Sequence, residues 1–387
     1  MKNTNVLVVG IVLAIVFTFT VALAGCGNES GTAINTTSTP TPTPGSVTIT
    51  CVDHIQIGVQ SPATYTCKAN EGVTWSVSNS VLATITSASS TTGVLVPNTI
   101  TTGVVTVTAT ATTGNDTAAT ATVKVVDWIL YATNSGRFIM NPDGSGVTQI
   151  LTMSPLCMHF SWSYDHLEFI CANTLAANAT QFAIYSTDGT AVGTKVVSTL
   201  NLAAIGGLNS ADYPSLSPDE TKIVFTGITS TNVNGIIEYT EGTWVVNVDG
   251  TGLTELSTEP QDGINILNPR FSPDGKEILY QRGNNVWIMN TDGTNQHQLV
   301  SATSWSAIFS PDMKKLYYTN SGGAFIANAD GTNAALIPLS AGDTVYGISP
   351  NGASIVLWNM SSETTYTANS DGSNLKQIAS PADNPAW

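Results

Sequence analysis

The sequence predicts an all-β chain, with a small β-sandwich over residues 47–126 followed by a six-bladed β-propeller over 127–387 that is closed by the C-terminal strand. Three observations predict it. Of 387 residues 42 % are apolar and 10 % charged, Thr, Ser, Asn and Gly abound, and nothing resembles a long amphipathic helix. Short runs with apolar residues at every second place are bounded by turn formers, as in consecutive antiparallel strands. The unit Ser272 to Val300 is too short to bury its own apolar face, and its Asp-Gly and Ser-Pro-Asp turns recur along the chain.

Residues 1–25 hold one charge, Lys2, and then a nearly unbroken apolar run from Val6 to Ala24. A run near twenty residues has the length of a bilayer-spanning helix. Leu23-Ala24-Gly25-Cys26 points instead to processing, because it resembles the bacterial lipoprotein signal, in which small residues fit the peptidase and the Cys thiol is acylated. The resemblance implies that residues 1–25 are removed and that Cys26 carries the membrane anchor, with more than one acyl chain for stable attachment. Gly rather than Asp at position 27 implies onward export to the outer membrane if the cell is Gram-negative. Residues 26–46 end in alternating Thr-Pro, a tether too polar to fold and stiffened by its prolines.

The chain has five cysteines. Lipid on Cys26 leaves Cys51, Cys67, Cys157 and Cys171. An oxidising compartment permits one bridge per domain, Cys51–Cys67 and Cys157–Cys171, the second across a hairpin; four buried thiols are the alternative. No Cys-x-x-Cys or paired-His spacing suggests zinc.

From Val47, seven Val- and Thr-rich segments at close spacing fit an immunoglobulin-like sandwich. Val73-Thr-Trp75-Ser-Val-Ser-Asn79, Leu82-Ala-Thr-Ile85 and Gly103-Val-Val-Thr-Val-Thr-Ala109 resemble the bacterial Ig-like domains of Big-2 type, which implies a core position for Trp75. The stretch from Thr86 to Thr102 is longer than that family's usual turn. Such domains serve as spacers or adhesion modules.

In the remainder, Asp-Gly recurs at 143, 188, 249, 292, 330 and 371, and the second turn at Ser217, Ser272, Ser310, Ser349 and, without its Pro, Ser163. One copy of the second turn is missing. Pro385-Ala-Trp387 aligns with Pro214-Ser-Leu216 and Pro269-Arg-Phe271 ahead of that turn, and Asp127-Trp-Ile-Leu-Tyr-Ala132 aligns with the strand after it. The chain ends therefore meet inside one blade, which leaves no open edge between blades. The repeats resemble the WD40-like (PD40) repeats of TolB-type propellers, most closely at Ser272-Pro-Asp-Gly-Lys276 and Trp287-Ile-Met-Asn290. The recurring Asp and Gly residues are hairpin chemistry and need no catalytic role.

Both turn types lie at one end of the blades. The lengthened connections, Asn173 to Gln181, Leu200 to Tyr213, Thr226 to Thr243 and Ser257 to Asn268, lie at the other, where they are read either as a binding face or as solvated loops. Tyr213, Glu238, Tyr239 and Glu241 are the candidate binding residues. No Gly-x-Ser-x-Gly elbow, His-Glu-x-x-His or calcium loop occurs, and the four His residues are scattered, with His166 and His297 expected to be exposed. The expectation is a monomeric, non-enzymatic envelope protein without cofactor or metal, its sandwich a spacer and its propeller a binder of an envelope protein or peptide; a carbohydrate or cell-wall binding or adhesion module is the alternative. A net charge of -15 argues against nucleic acid.

Overall fold

A computed structural model describes residues 46–52, 54–56, 65–97, 102–113, 117–152, 157–175, 179–186, 195–201, 208–259, 266–283, 285–301, 304–339 and 342–387. Among them there are strands and turns and no α-helix.

The first eight strands are β1 (Ile49–Cys51), β2 (His54–Gln56), β3 (Tyr65–Ala69), β4 (Val73–Val77), β5 (Ala83–Ser87), β6 (Thr92–Pro97), β7 (Gly103–Ala111) and β8 (Ala119–Val126). They form two four-stranded sheets, in the orders β1-β3-β6-β5 and β2-β8-β7-β4. The expected first segment is thus two strands in different sheets, and β2 runs parallel to β8. Ile55, Tyr65, Leu95, Val105, Val107 and Val123 fill the space between the sheets. Trp75 packs on the edge of this core, half-buried, and closes over Gly93. Cys51 and Cys67 are register partners and are disulfide-bonded.

Six further four-stranded sheets follow among the described residues. β9 (Ile129–Thr133), β10 (Gly136–Met140) and β11 (Thr148–Thr152) make three strands of the first. The second holds β12 (Cys157–Trp162), β13 (Glu168–Leu175), β14 (Ala179–Ser186) and β15 (Lys195–Asn201). The third holds β16 (Ser210–Leu216), β17 (Lys222–Val233), β18 (Ile236–Asn247) and β19 (Thr254–Glu259). The fourth holds β20 (Ile266–Phe271), β21 (Glu277–Arg282), β22 (Asn285–Asn290) and β23 (His297–Val300). The fifth holds β24 (Ser304–Phe309), β25 (Lys315–Asn320), β26 (Gly323–Asn328) and β27 (Ala335–Leu336), and the sixth β28 (Asp343–Ile348), β29 (Ser354–Asn359), β30 (Thr364–Asn369) and β31 (Lys376–Ala379). The last strand, β32 (Asp383–Ala386), joins β9 with Asp383 opposite Ala132 and Ala386 opposite Leu130. Each sheet packs on the next, and β32 touches both β28 and β12, so the sheets form a propeller around a channel.

Packing between neighbouring sheets explains the second strand of each blade. Ile278-Leu279-Tyr280 in β21 and Ile355-Val356-Leu357 in β29 are buried three in a row rather than alternately, because both faces of these strands are covered. Phe182 and Phe225 meet edge-on at 5.0 Å between two blades, and Cys157–Cys171 ties β12 to β13.

Both turn types explain their own composition. In Asn290-Thr-Asp-Gly-Thr294 the Asp292 carboxylate accepts from the Thr294 amide at 2.9 Å and hydroxyl at 2.6 Å, and these bonds hold its pKa below the ordinary value. Gly293 (φ 83°) and Asn295 (φ 55°) supply the left-handed backbone that closes it. Asp143, Asp249, Asp330 and Asp371 bond the following Ser or Thr in the same way. In the other turn the buried Ser272 hydroxyl donates to Asp274 at 2.7 Å and accepts from the Glu277 amide at 3.0 Å.

The sandwich sits against the turn end of the ring. The Tyr65 hydroxyl donates to the Asp165 carbonyl at 2.6 Å, the His54 ring lies 4.7 Å from that of Trp128, and Leu167 joins the sandwich core. His166, expected to be exposed, is buried here with its carbonyl 3.3 Å from His54 Nε2, and burial pushes its imidazole pKa down to about 3. Asp127 joins three pieces of chain: its Oδ1 accepts from Gln56 Nε2 at 3.0 Å and from the Trp387 indole at 2.8 Å.

Burial outweighs those two bonds and raises the Asp127 pKa from 3.8 to about 6. Its contribution to stability is therefore complete below pH 3.8 and lost as pH rises through about 6. Asp127→Ala leaves two buried donors without an acceptor and is expected to cost about 1–3 kcal/mol for each in denaturant unfolding at pH 7. Asp127→Asn keeps the oxygen, so it should retain most of that stability and flatten the pH dependence across this window.

Candidate functional site

The innermost strand of every sheet faces the channel, and each carries a register break. In β16, β20 and β32 the break falls at Tyr213-Pro, Asn268-Pro and Asn384-Pro, with φ of 51°, 52° and 43° at the residue before Pro. Such bulges re-aim side chains. The channel holds a cavity of about 1220 Å³. One level of its wall is set by register: Ser161, Ser215, Arg270, Ile308 and Ala386 are paired with Ile170, Val224, Leu279, Tyr317 and Leu130. Gly347, the sixth residue of this level, abuts Trp387 so closely that a Cβ would lie 2.7 Å from the Trp387 amide nitrogen. Arg270 is thus a long cation among small or apolar neighbours. Burial lowers its pKa, and Tyr346 offsets part of that effect.

Towards the end away from the turns, His159 and Tyr213 occupy equivalent positions of adjacent blades, and their rings stack at 3.8 Å. His159 Nδ1 lies 2.5 Å from Asp212 Oδ1, a carboxylate of the neighbouring blade. The sequence reading left His159 without a partner; its partner comes from 53 residues further on. A signal existed, since His159 and Tyr213 each stand four residues before a turn serine. Tyr213 has its phenol pKa raised by burial, then by Asp212 and Glu241.

The expected loop from Thr226 to Thr243 is instead continuous strand. β17 and β18 pair residue by residue to Val233 opposite Ile236, closed by Asn234-Gly235 with φ of 56° and 87°, the pattern of a type I′ turn. β16 begins opposite Ile228 and β19 ends opposite Glu241, so among the described residues the hairpin stands beyond both neighbouring strands. In the second expected long connection, from Asn173 to Gln181, the described residues are also paired strand, Asn173–Leu175 of β13 with Ala179–Gln181 of β14, and residues 176–178 lie outside the described residues. At the free tip Ile236 and Ile237 are 67 % and 57 % exposed, and Val233 and Tyr239 are exposed beside them.

Of the expected binding residues, Tyr213 therefore lines the channel and Glu241 lies near it at the foot of the hairpin. Glu238 and Tyr239 lie on the projecting part and do not reach the cavity. Cys51, Cys67, Cys157 and Cys171 are the two disulfides, and Cys26 lies outside the described residues. No group of three His, Cys, Asp or Glu side chains among the described residues is placed to hold a metal ion.

Neither a protein-family model nor a curated protein sequence matches the chain. Solved structures do. TolB from Acinetobacter baumannii is similar with a TM-score of 0.51 at 15 % identity, over 81 % of this chain and 82 % of that one. A chain of a nidogen/laminin complex matches with a TM-score of 0.50 at 11 % identity, over 67 % and 97 %. These likenesses show the propeller fold alone. An oligogalacturonate lyase in complex with manganese also matches, with a TM-score of 0.45 at 14 % identity over 63 % and 70 %. The expectation of a chain without enzymatic activity is withdrawn: it rested on missing hydrolase motifs, and a propeller fold does not by itself exclude an enzyme.

The turn end carries its own electrostatic feature. Glu220 (φ 56°) stands fourth in the Ser217 turn. Burial, then the charge of Asp165 and a hydrogen bond shared with it, raise its pKa from 4.5 to about 8. The stabilising protonated state is complete below pH 4.5 and is lost as pH rises through about 8. Glu220→Gln should keep the hydrogen bonding and remove this loss, giving a flatter melting temperature between those limits; an unchanged profile would contradict the shared proton.

Proposed function

We propose that this chain is a lipid-anchored cell-envelope protein, held at Cys26 after loss of residues 1–25. In this reading an immunoglobulin-like sandwich (47–126) carries a six-bladed propeller (127–387) that binds a protein or peptide partner at the hairpin end of the ring. The observation that carries the binding reading is the β17–β18 hairpin, whose exposed apolar tip side chains lie on both faces of a two-stranded ribbon. Val233 and Ile236 face one way and Ile237 and Tyr239 the other, so neither set rests on the blade. Exposed apolar groups of this kind, beside open strand edges, suit strand addition or capture of an apolar segment.

The placement of the sandwich supports the same reading. It docks on the turn end through Tyr65 and His54, and the tether enters it at its N-terminus. The hairpin end is therefore left uncovered by the sandwich. The stacked His159–Tyr213 pair and the Tyr346 and Trp358 rings in the channel wall favour, as a second reading, a carbohydrate ligand.

Closing the hairpin early, by replacing Ser230–Tyr239 with Asn-Gly, is expected to abolish capture of a partner from envelope extract. Stability should change by no more than about 0.5 kcal/mol because the removed side chains from Thr231 to Tyr239 are exposed and Ser230 gives up one part-buried hydrogen bond to Asn209. Retained capture by the shortened chain would sink the hairpin as the binding element. Cys26→Ala should move the protein from the membrane to the soluble fraction, and unchanged partitioning would refute the anchor.

A further inference from the structure

Arg270 stands in the channel wall with Ser161, Ser215, Ile308 and Ala386 at its level, none of which carries charge. Among the described residues no carboxylate is bonded to its guanidinium. The acid in the cavity wall, Asp312, is bound to Ser310 at 2.7 Å and to Lys314 at 3.0 Å, and Asp212 at the other end is held by His159. A guanidinium does not shed its proton in a protein, and removing it from bulk water without a counter-charge is costly. In a chain with 27 acidic and 12 basic residues, a cation that bonds no acid among the described residues is poorly explained by stability.

We propose that Arg270 is the anchor of a binding site inside the channel for a ligand that presents a carboxylate. The planar fork matches a carboxylate through two parallel hydrogen bonds. A single fork balances one negative charge, which fits a carboxylate better than a phosphate dianion. Asn268 and Tyr346 add polar groups to the same wall, and the edge-on contact of Tyr346 with Trp358 at 5.7 Å provides an apolar surface for the remainder of the ligand. At about 1220 Å³ the cavity admits a short peptide end or an acidic sugar. This site is independent of the hairpin tip, so either can fail without the other.

The test is titration calorimetry on the full-length chain with matched pairs: a tripeptide with a free or amidated C-terminus, and glucuronate or glucose, with inorganic phosphate as a third probe. At least one acid should bind with a dissociation constant below about 1 mM, and its neutral partner, or the same acid on Arg270→Gln, at least about thirtyfold more weakly. Whichever pair responds names the source of the carboxylate. Equal binding of acid and neutral partner, tighter binding of phosphate, or no saturable binding of either acid would overturn the site. A second measurement guards the variant: Arg270→Gln should unfold at a denaturant midpoint equal to or above that of the parent. A lowered midpoint would make Arg270 a structural residue and overturn the assignment.

Discussion

Antiparallel pairing of β32 with β9 is the constraint on which the rest of the ring depends. Each sheet hides its faces against two neighbours, so the arrangement is stable when no neighbour is missing. Residues from opposite ends of the repeats complete one blade, and Trp387 seals the joint by packing beside Ile129, Tyr131 and Val356. Asp127 then couples the joint to the sandwich, because one carboxylate oxygen receives both Trp387 and Gln56. Ring closure and docking of the first domain thus share one accepting carboxylate.

The two ends of the ring have different physical chemistry. At the turn end, Asp292, Asp312 and Asp371 are consumed by local hydrogen bonds to hydroxyls and amides, and their pKa values fall for that reason. The sandwich covers part of that end. At the other end the backbone breaks register in each inner strand, and side chains from different blades meet: His159 with Asp212, Tyr213 with His159. A bulge has no intrinsic chemistry, but six of them around a channel bring unrelated residues into one wall.

Much of the fold was legible because hairpins are local. Asp-Gly followed by Ser or Thr carries its own closing hydrogen bonds within five residues, so the motif reports the turn directly. The reading of Thr226 to Thr243 as a loop failed although its signal was present, since Asn234-Gly235 sits between β-branched runs and is itself a hairpin former. The solitary reading of His166 failed for another reason. Its turn position argued for exposure, and what buries it is the sandwich, more than 100 residues away in sequence.

The amino-acid sequence by itself determined strands, turns, their repetition and the alignment of both chain ends within one blade, because these follow from contacts between near neighbours and from the need to bury one face per strand. Tertiary structure alone decided which residues share the channel. Arg270 is one more strand residue in its own repeat, and it becomes a half-buried cation among uncharged neighbours when the ring places Ser161, Ser215, Ile308 and Ala386 around it. Charge and burial are set by what stands across the cavity, and those neighbours are fixed by ring closure rather than by any local pattern.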